Sequence, residues 1–298
     1  MEYKLLEKCE ICPHKCGINR NKIKGNCRAT KNIKIANASL FYFEEPCISG
    51  KNGSGAVFFS NCNLRCVYCQ NYEISAGTIG KEITEGELSD IFLKLQNEGA
   101  NNINLVTPTI YTLQIIKSLK MAKEKGLHIP VIYNTNGYEN ISTLKMLNGY
   151  VDVYLPDLKY IDGKLSLKYS GVSDYFIQAS QAIKYMYQQV GPVILNDDGI
   201  IQKGVIIRHL ILPNNIQNSI DVLKWIHDNF NSDIYLSLMA QYFPTYKAKN
   251  ISELNRKISK YEYLKVRNYM YNLKFENGYM QQLGEHEEEY VPNFKSNF

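Results

Sequence analysis

"SNCNLRCVYCQNYEIS", residues 60–75, places three cysteines within eight residues: Cys62, Cys66 and Cys69. Their spacing is C-x₃-C-x₂-C, and the next cysteine or histidine along the chain is His128. A structural zinc ion normally has four protein ligands, so three thiolates on one loop fit a zinc site poorly. A four-iron cluster held by three thiolates leaves one iron open to an exchangeable ligand. The stretch therefore predicts an iron–sulfur cluster with a free coordination position.

The composition is that of an ordinary globular protein. The chain has 298 residues, 45% of them hydrophobic and 21% charged, and a formal net charge of +5. It contains no apolar run long enough for a membrane helix, and its first residues lack the apolar segment of a signal peptide. A cytoplasmic, reducing location is expected, where eight cysteines serve as metal ligands rather than as disulfides. No dense Lys/Arg stripe indicates binding to nucleic acid.

After about residue 55 the chain alternates short apolar runs with helical stretches. The predicted strands are 55–62, 102–109, 131–137, 151–158, 204–212 and 234–242, and the predicted helices are 84–99, 112–126, 141–149, 173–191, 217–230 and 252–273. Near-continuous apolar strands are typical of a parallel sheet buried on both faces. Six β/α units predict an α/β fold, a partial (β/α)₆ barrel, with its chemistry at the carboxyl ends of the strands. The three-cysteine loop follows the first of these strands.

The first part of the chain has a different character. Residues 1–45 are predicted to form a small metal-binding segment and residues 46–298 the barrel. Four cysteines in the first segment, with few strand or helix signals around them, predict a closed metal site: Cys9, Cys12, Cys16 and Cys27. Structural zinc and a second iron–sulfur cluster both satisfy four thiolates. The closed set and the small size of the segment favour zinc, while Cys47 is left over as an unligated thiol.

The cysteine motif closely resembles the signature of the radical S-adenosylmethionine (SAM) superfamily, C-x₃-C-x-φ-C with an aromatic residue at φ, here Tyr68. The resemblance implies a [4Fe–4S] cluster on Cys62, Cys66 and Cys69, with SAM bound to the free iron. It also implies that reductive cleavage of SAM yields a 5′-deoxyadenosyl radical, which abstracts hydrogen from a substrate.

The same resemblance points to cofactor contacts at the strand ends. The superfamily usually carries Gly-Gly-Glu where this chain has "TPT" (107–109), and "NTN" (134–136) and "DLK" (157–159) follow the next two strands. The residues expected to bind the cofactor are Tyr68, Thr107, Thr109, Asn134, Asn136, Asp157, Lys159 and His209. For His209 a hydrogen-bonded position in the core is an equal alternative.

As a set, "EEPCISG", "NINLVTP", "LPDLKY" and "SLMAQYFP" resemble the PflX-type branch, whose members are similar to the pyruvate formate-lyase activating enzyme. This implies an oxidoreductase that abstracts hydrogen from a glycine of a glycyl-radical enzyme, with flavodoxin or ferredoxin as electron donor. The alternatives are a radical SAM enzyme acting on a small metabolite, a peptide or RNA, and a non-catalytic zinc or iron–sulfur protein.

Overall fold

One mostly parallel β-sheet forms the centre of the computed structural model, which describes residues 2–230, 234–284 and 294. In this part of the chain ten strands are found: β1 (Ile33–Phe41), β2 (Ser54–Phe59), β3 (Lys81–Ile83), β4 (Ile103–Val106), β5 (Val131–Thr135), β6 (Val153–Pro156), β7 (Ile194–Leu195), β8 (Ile201–Leu210), β9 (Tyr235–Met239) and β10 (Gly278–Met280). Their order across the sheet is β10-β9-β8-β6-β5-β4-β2-β1-β3, and β7 pairs with β8.

Helices connect most of these strands. The described residues contain nine α-helices: α1 (Pro46–Ser49), α2 (Tyr72–Ser75), α3 (Glu85–Asn97), α4 (Thr112–Glu124), α5 (Ile141–Met146), α6 (Gly163–Ser170), α7 (Tyr175–Val190), α8 (Ile216–Phe230) and α9 (Lys260–Asn272). Short 3₁₀-helices span Glu2–Leu6, Thr109–Tyr111 and Tyr246–Asn250. None of the helices in the described ranges has the length and apolar character needed to cross a bilayer.

The strands from β2 to β10, apart from β3 and β7, run parallel to their neighbours. Every residue of β2, β4, β5 and β6 is buried, which explains their near-continuous apolar sequences. β1 pairs antiparallel with β2 and with β3 at one edge, and the sheet does not close on itself. The α/β fold predicted from the sequence, a partial barrel, is confirmed, and each of the six predicted strands overlaps an observed one.

The last predicted helix was placed too early. It was expected from residue 252 but begins at Lys260. Ser259 accepts a hydrogen bond from the Glu262 amide, and the Glu262 carboxylate accepts one from the Ser259 amide, so a capping box fixes the start there. The same device begins α3, where Thr84 caps the helix.

The cysteine-rich segment ends earlier than the predicted boundary at residue 45 suggests. Residues 33–41 form β1, and this strand belongs to the central sheet. Among residues 2–32 the structure describes a single 3₁₀-helix, and this segment is held against the helical layer by hydrogen bonds. Asn140 donates to the carbonyl of Glu10 over 2.7 Å, and Thr143 donates to the carbonyl of Ile11 over 2.6 Å.

Gly137 lies where the carboxyl ends of β5 and β6 come closest, and it has a φ of +81°. A Cβ atom at this position would lie 2.4 Å from the carbonyl oxygen of Asp157. Gly126 also has a positive φ, +105°, but a Cβ there would meet no atom within 4 Å. A substitution at Gly126 therefore tests the cost of the left-handed backbone alone, whereas one at Gly137 adds the cost of steric overlap.

We expect Gly126→Ala to lower the free energy of unfolding by about 1–2 kcal/mol, the cost of a left-handed L-residue. Gly137→Ala should lower it by roughly a further 1–3 kcal/mol, because the added methyl group also overlaps the neighbouring strand end. Urea denaturation of both variants measures the difference. Equal losses would show that the approach of the two strand ends does not constrain the fold.

Candidate functional site

The three cysteines of the motif lie on the loop that follows β2. None of them forms a disulfide, and all three line one cavity at the carboxyl edge of the parallel sheet. Backbone hydrogen bonds fix the loop: the Arg65 amide donates to the carbonyl of Ser170 and the Val67 amide to the carbonyl of Tyr169. The end of α6 thus sets the position of the motif.

Each cysteine sulfur has a polar neighbour. The side-chain amide of Asn136 and the backbone amide of Leu64 both donate to Cys62 Sγ over 3.4 Å. Ser170 Oγ lies 3.1 Å from Cys66 Sγ, and Ser75 Oγ lies 3.5 Å from Cys69 Sγ. Burial raises the pKa of Cys62 to about 12 and that of Cys69 to about 11. A metal bound here must therefore displace the thiol protons.

A network of partly buried charges forms another wall of the cavity. Arg208, on β8, donates through Nε to Asp157 over 3.0 Å, through Nη1 to Glu44 over 3.3 Å and through Nη2 to the Asn134 amide oxygen over 2.6 Å. Lys159 forms an ion pair with the other carboxylate oxygen of Asp157. Two acidic and two basic groups are thus brought together where four segments of the chain meet.

These charges affect the carboxyl groups differently. Burial alone would raise the pKa of Asp157, but the positive charges of Lys159 and Arg208 outweigh it and hold the pKa below its ordinary value. For Glu44 burial dominates over the attraction of Arg208 and raises the pKa to about 7. At neutral pH Asp157 is therefore a fixed anion, whereas Glu44 is close to half ionised.

A chain of hydroxyl groups runs behind the motif. Ser170 Oγ lies 2.9 Å from the hydroxyl of Tyr160, which is hydrogen bonded to the hydroxyl of Tyr68. A thiolate can only accept hydrogen bonds. When Cys66 is a metal ligand, Ser170 must donate to it, Tyr160 to Ser170, and Tyr68 to Tyr160. Metal binding at Cys66 would therefore fix the direction of the whole chain.

Comparison with known proteins agrees with this geometry. A family model described as "Radical SAM superfamily" matches residues 56–196. An uncharacterized protein of Methanocaldococcus jannaschii is 31% identical over 265 residues, which cover 86% of this chain and 72% of the relative. The chain belongs to the radical SAM superfamily. The pyruvate formate-lyase-activating enzyme of Clostridium pasteurianum is 28% identical over 120 residues, covering 39% of this chain and 49% of that enzyme.

A solved structure shares the fold. SuiB of Streptococcus suis, bound to its precursor peptide SuiA, superposes with a TM-score of 0.52 at 16% identity. The match covers 74% of this chain but 46% of the SuiB chain, so the present chain spans less than half the length of that protein.

The cysteines fit the cluster that the radical SAM superfamily implies. Three free thiols on one loop, all lining the same cavity, are the donor set that a four-iron cluster with one open iron takes from a protein. The hydrogen-bonding groups beside each sulfur also suit this role, because such contacts hold cluster ligands in place.

The structure brings most of the predicted cofactor-binding residues to the cavity. The predicted residues that line the cavity are Tyr68, Thr107, Asn134, Asn136, Asp157 and Lys159. Their individual contacts with SAM stay predictions. Thr107 has a left-handed backbone with a φ of +61°. The side-chain amide of Asn136 donates hydrogen bonds to Cys62 Sγ and to the side-chain oxygen of Asn63, so it contacts the loop.

Two predicted residues do not reach the cavity. Thr109 is buried and donates its hydroxyl to Glu139 over 2.6 Å. His209 is fully buried: its Nδ1 donates to the carbonyl of Leu158, and its Nε2 accepts from Ser219. Burial lowers the pKa of His209 to about 4, so the ring is neutral. The structure corrects both assignments, and His209 is the hydrogen-bonded core histidine of the alternative interpretation.

Three contributors to the site were not predicted: Glu44, Ser170 and the ion pairs of Arg208. Glu44 and Ser170 are separated in sequence from the groups they contact by 164 and 104 residues. No local motif marks them. Arg208 did carry a signal, because a charged residue within an apolar strand must find buried partners.

The Ser170 contact predicts a measurable effect on the bound cluster. Ser170→Ala removes a hydrogen bond to the Cys66 sulfur that stabilises the more negative, reduced state. The reduction potential should fall by on the order of 40 mV, for a lost interaction of about 1 kcal/mol in a one-electron couple. An anaerobic redox titration followed by electron paramagnetic resonance (EPR) measures it.

Ser75→Ala is the matched control, because the Ser75 contact with Cys69 is longer. Its potential should shift less while the iron content stays the same in both variants. An unchanged potential in Ser170→Ala would mean that the hydroxyl does not donate to the ligated sulfur.

Proposed function

We propose that this radical SAM protein is an activating enzyme of the PflX-type branch, which removes a hydrogen atom from a glycine of a glycyl-radical enzyme. The observation that carries the proposal is the Asp157–Lys159 pair in the same cavity as Cys62, Cys66 and Cys69. The pair belongs to the "DLK" pattern that resembles the activating enzymes. SAM would have to bind in this cavity, between the pair and the cysteine loop.

Cys62, Cys66 and Cys69 would hold the [4Fe–4S] cluster, and the polar strand ends opposite them would hold SAM. The cluster, when bound, supplies the electron that cleaves SAM to methionine and a 5′-deoxyadenosyl radical. Lys159 suits the SAM carboxylate, and ionised Asp157 suits the positively charged amino or sulfonium group. The partly buried position of these side chains limits their contact with water, which strengthens their interactions with a charged cofactor.

The partial similarity to the Clostridium pasteurianum activating enzyme supports the choice of substrate. It covers fewer than half of the residues of this chain, so the substrate depends on experiment. A small metabolite, a peptide or RNA is the other class of substrate to be distinguished.

The first experiment is anaerobic reconstitution with iron and sulfide, followed by addition of dithionite, SAM and pyruvate formate-lyase as the glycyl-radical enzyme. We expect 5′-deoxyadenosine to form and the EPR doublet of a glycyl radical to appear, with one deoxyadenosine for each radical. Cys66→Ala should reduce both signals to background. Cys47→Ala, which removes a buried cysteine outside the motif, should leave both unchanged.

The outcomes test the proposed glycine substrate and the radical SAM reaction separately. Deoxyadenosine without a glycyl doublet, accelerated instead by a metabolite, a peptide or RNA, would contradict the activating function and identify the other class of substrate. No deoxyadenosine from protein with a full cluster would contradict radical SAM chemistry itself.

A further inference from the structure

The surface beside the cysteine loop carries positive charges that lack carboxylate partners. Arg28, Arg65 and Lys247 belong to none of the ion pairs among the described residues. Arg28 and Lys247 are exposed, and Arg65 is partly exposed. Burial and, after it, the positive charge of Arg28 lower the pKa of Arg65, so the two guanidinium groups repel each other. Like charges gathered on a surface favour a partner of opposite charge.

Hydrogen bonds hold these charges around the loop. Arg65 is part of the loop itself, and Arg28 donates to the carbonyl of Ala76, at the end of α2, over 3.5 Å. The lysine belongs to the 3₁₀-helix Tyr246–Asn250. A backbone amide of that helix donates to the carbonyl of Val67 over 2.9 Å, which attaches the helix to the loop. Segments far apart in sequence thus place their charges side by side.

Two stacked tyrosines lie among these charges. Tyr72, on α2, and Tyr246 have ring centroids 5.0 Å apart and ring planes 7° apart. Lys247 Nζ lies 5.4 Å from the centroid of the Tyr246 ring, and Arg65 interacts electrostatically with the same tyrosine. Tyr246 is 36% exposed. An exposed ring held by stacking offers flat apolar area to a partner at little cost in side-chain entropy.

The backbone is strained at two of these residues. Arg28 has a φ of +65° and Tyr246 a φ of +49°, both in the left-handed region. L-residues rarely adopt this conformation, and a bulky aromatic residue is an outlier there. Strained residues are concentrated at functional sites. Here the strained positions carry a positive charge and an aromatic ring, which supports a binding role for the surface.

The surface lies on the outer side of the wall that holds the cysteines. Cys69 Sγ lies 3.5 Å from Ser75 Oγ on α2, and Ser75 lines the cavity. The three cations and the two tyrosines are not among the described side chains that line it. A substrate must enter the cavity, because a hydrogen atom is transferred only in contact. An electron can cross a thin wall of protein, so this surface suits an electron donor rather than a substrate.

We propose that a docking surface formed by Arg28, Arg65, Tyr72, Tyr246 and Lys247 binds an acidic electron carrier of the flavodoxin type. Acidic groups of the carrier pair with the three cations, and its flat flavin ring packs against the exposed tyrosine. One electron passes from the reduced flavin, which is oxidised by one electron, to the cluster, which is reduced by one. The proposal depends on the electron that radical SAM chemistry requires, and not on the proposed glycine substrate.

Reduction kinetics test the docking surface. The reconstituted protein is mixed anaerobically with reduced flavodoxin, and the EPR signal of the reduced cluster is followed by rapid freezing. In Arg28→Glu/Lys247→Glu we expect a second-order rate at low salt at least about tenfold below that of the wild type, with a weaker dependence on ionic strength. Lys247→Glu alone should give a smaller loss. Reduction by dithionite, which needs no docking surface, and the iron content should be unchanged.

The matched control is Lys51→Glu/Lys203→Glu, which changes the net charge by the same amount. Both lysines are exposed, one before the start of β2 and one in the first half of β8, at the edge of the sheet opposite the cysteine loop. This variant should be reduced by flavodoxin at the wild-type rate. Tyr246→Ala should lower the rate with flavodoxin and keep the wild-type salt dependence, since it removes the ring and no charge.

The contrary outcomes are distinct. Equal rates with flavodoxin in the Arg28→Glu/Lys247→Glu variant and in its control would overturn the docking surface. Reduction by ferredoxin alone would contradict the choice of a flavin carrier. Fluorescence anisotropy with labelled single-stranded RNA tests the other class of partner: RNA binding that the variant loses, with normal reduction by flavodoxin, would identify a nucleic-acid site instead. Because dithionite replaces the carrier in the assay of the proposed function, none of these results decides the substrate.

Discussion

The partly buried ion pairs of Arg208 are the interaction on which the architecture of the cavity depends. They join β8 to Glu44 before α1, to Asp157 after β6 and to Asn134 on β5. Removing one partner of a largely desolvated charge is destabilising, so the network resists separation of these segments. It reinforces strands β5, β6 and β8, which are already hydrogen bonded to one another, and it attaches the segment before α1 to them.

The cavity has two chemically different sides. On one side are fixed charges that suit a charged cofactor. On the other side, behind Cys66, are the hydroxyls of Ser170, Tyr160 and Tyr68. Burial raises the pKa of each of the two tyrosines well above the ordinary value of a tyrosine. These hydroxyls therefore act as neutral dipoles, which can stabilise a more negative ligand sulfur without adding charge. The charged groups suited to binding the cofactor are thus different from the hydroxyl groups that affect the metal-ligand sulfur.

The fold was predictable from the sequence because its parallel strands are buried on both faces and read as apolar runs. β1 was not predicted: it lies within a segment whose cysteines dominate the pattern, and its pairing with β2 is a tertiary contact. The cysteine motif and the strand-end residues were identified because each is local in sequence. Thr109 and His209 were misassigned, since the side of a strand end that a residue faces depends on packing. Glu44 and Ser170 act across more than a hundred residues and leave no local signal.

Thr107 shows that a left-handed turn can follow β4 without a glycine. Its φ of +61° belongs to the left-handed region, which glycine adopts freely and β-branched residues rarely adopt. The position after β4 is where the superfamily usually carries glycine. The absence of glycine from the sequence thus does not mean the absence of a glycine-type turn. The turn after β4 therefore carries local strain that a glycine at this position would relieve.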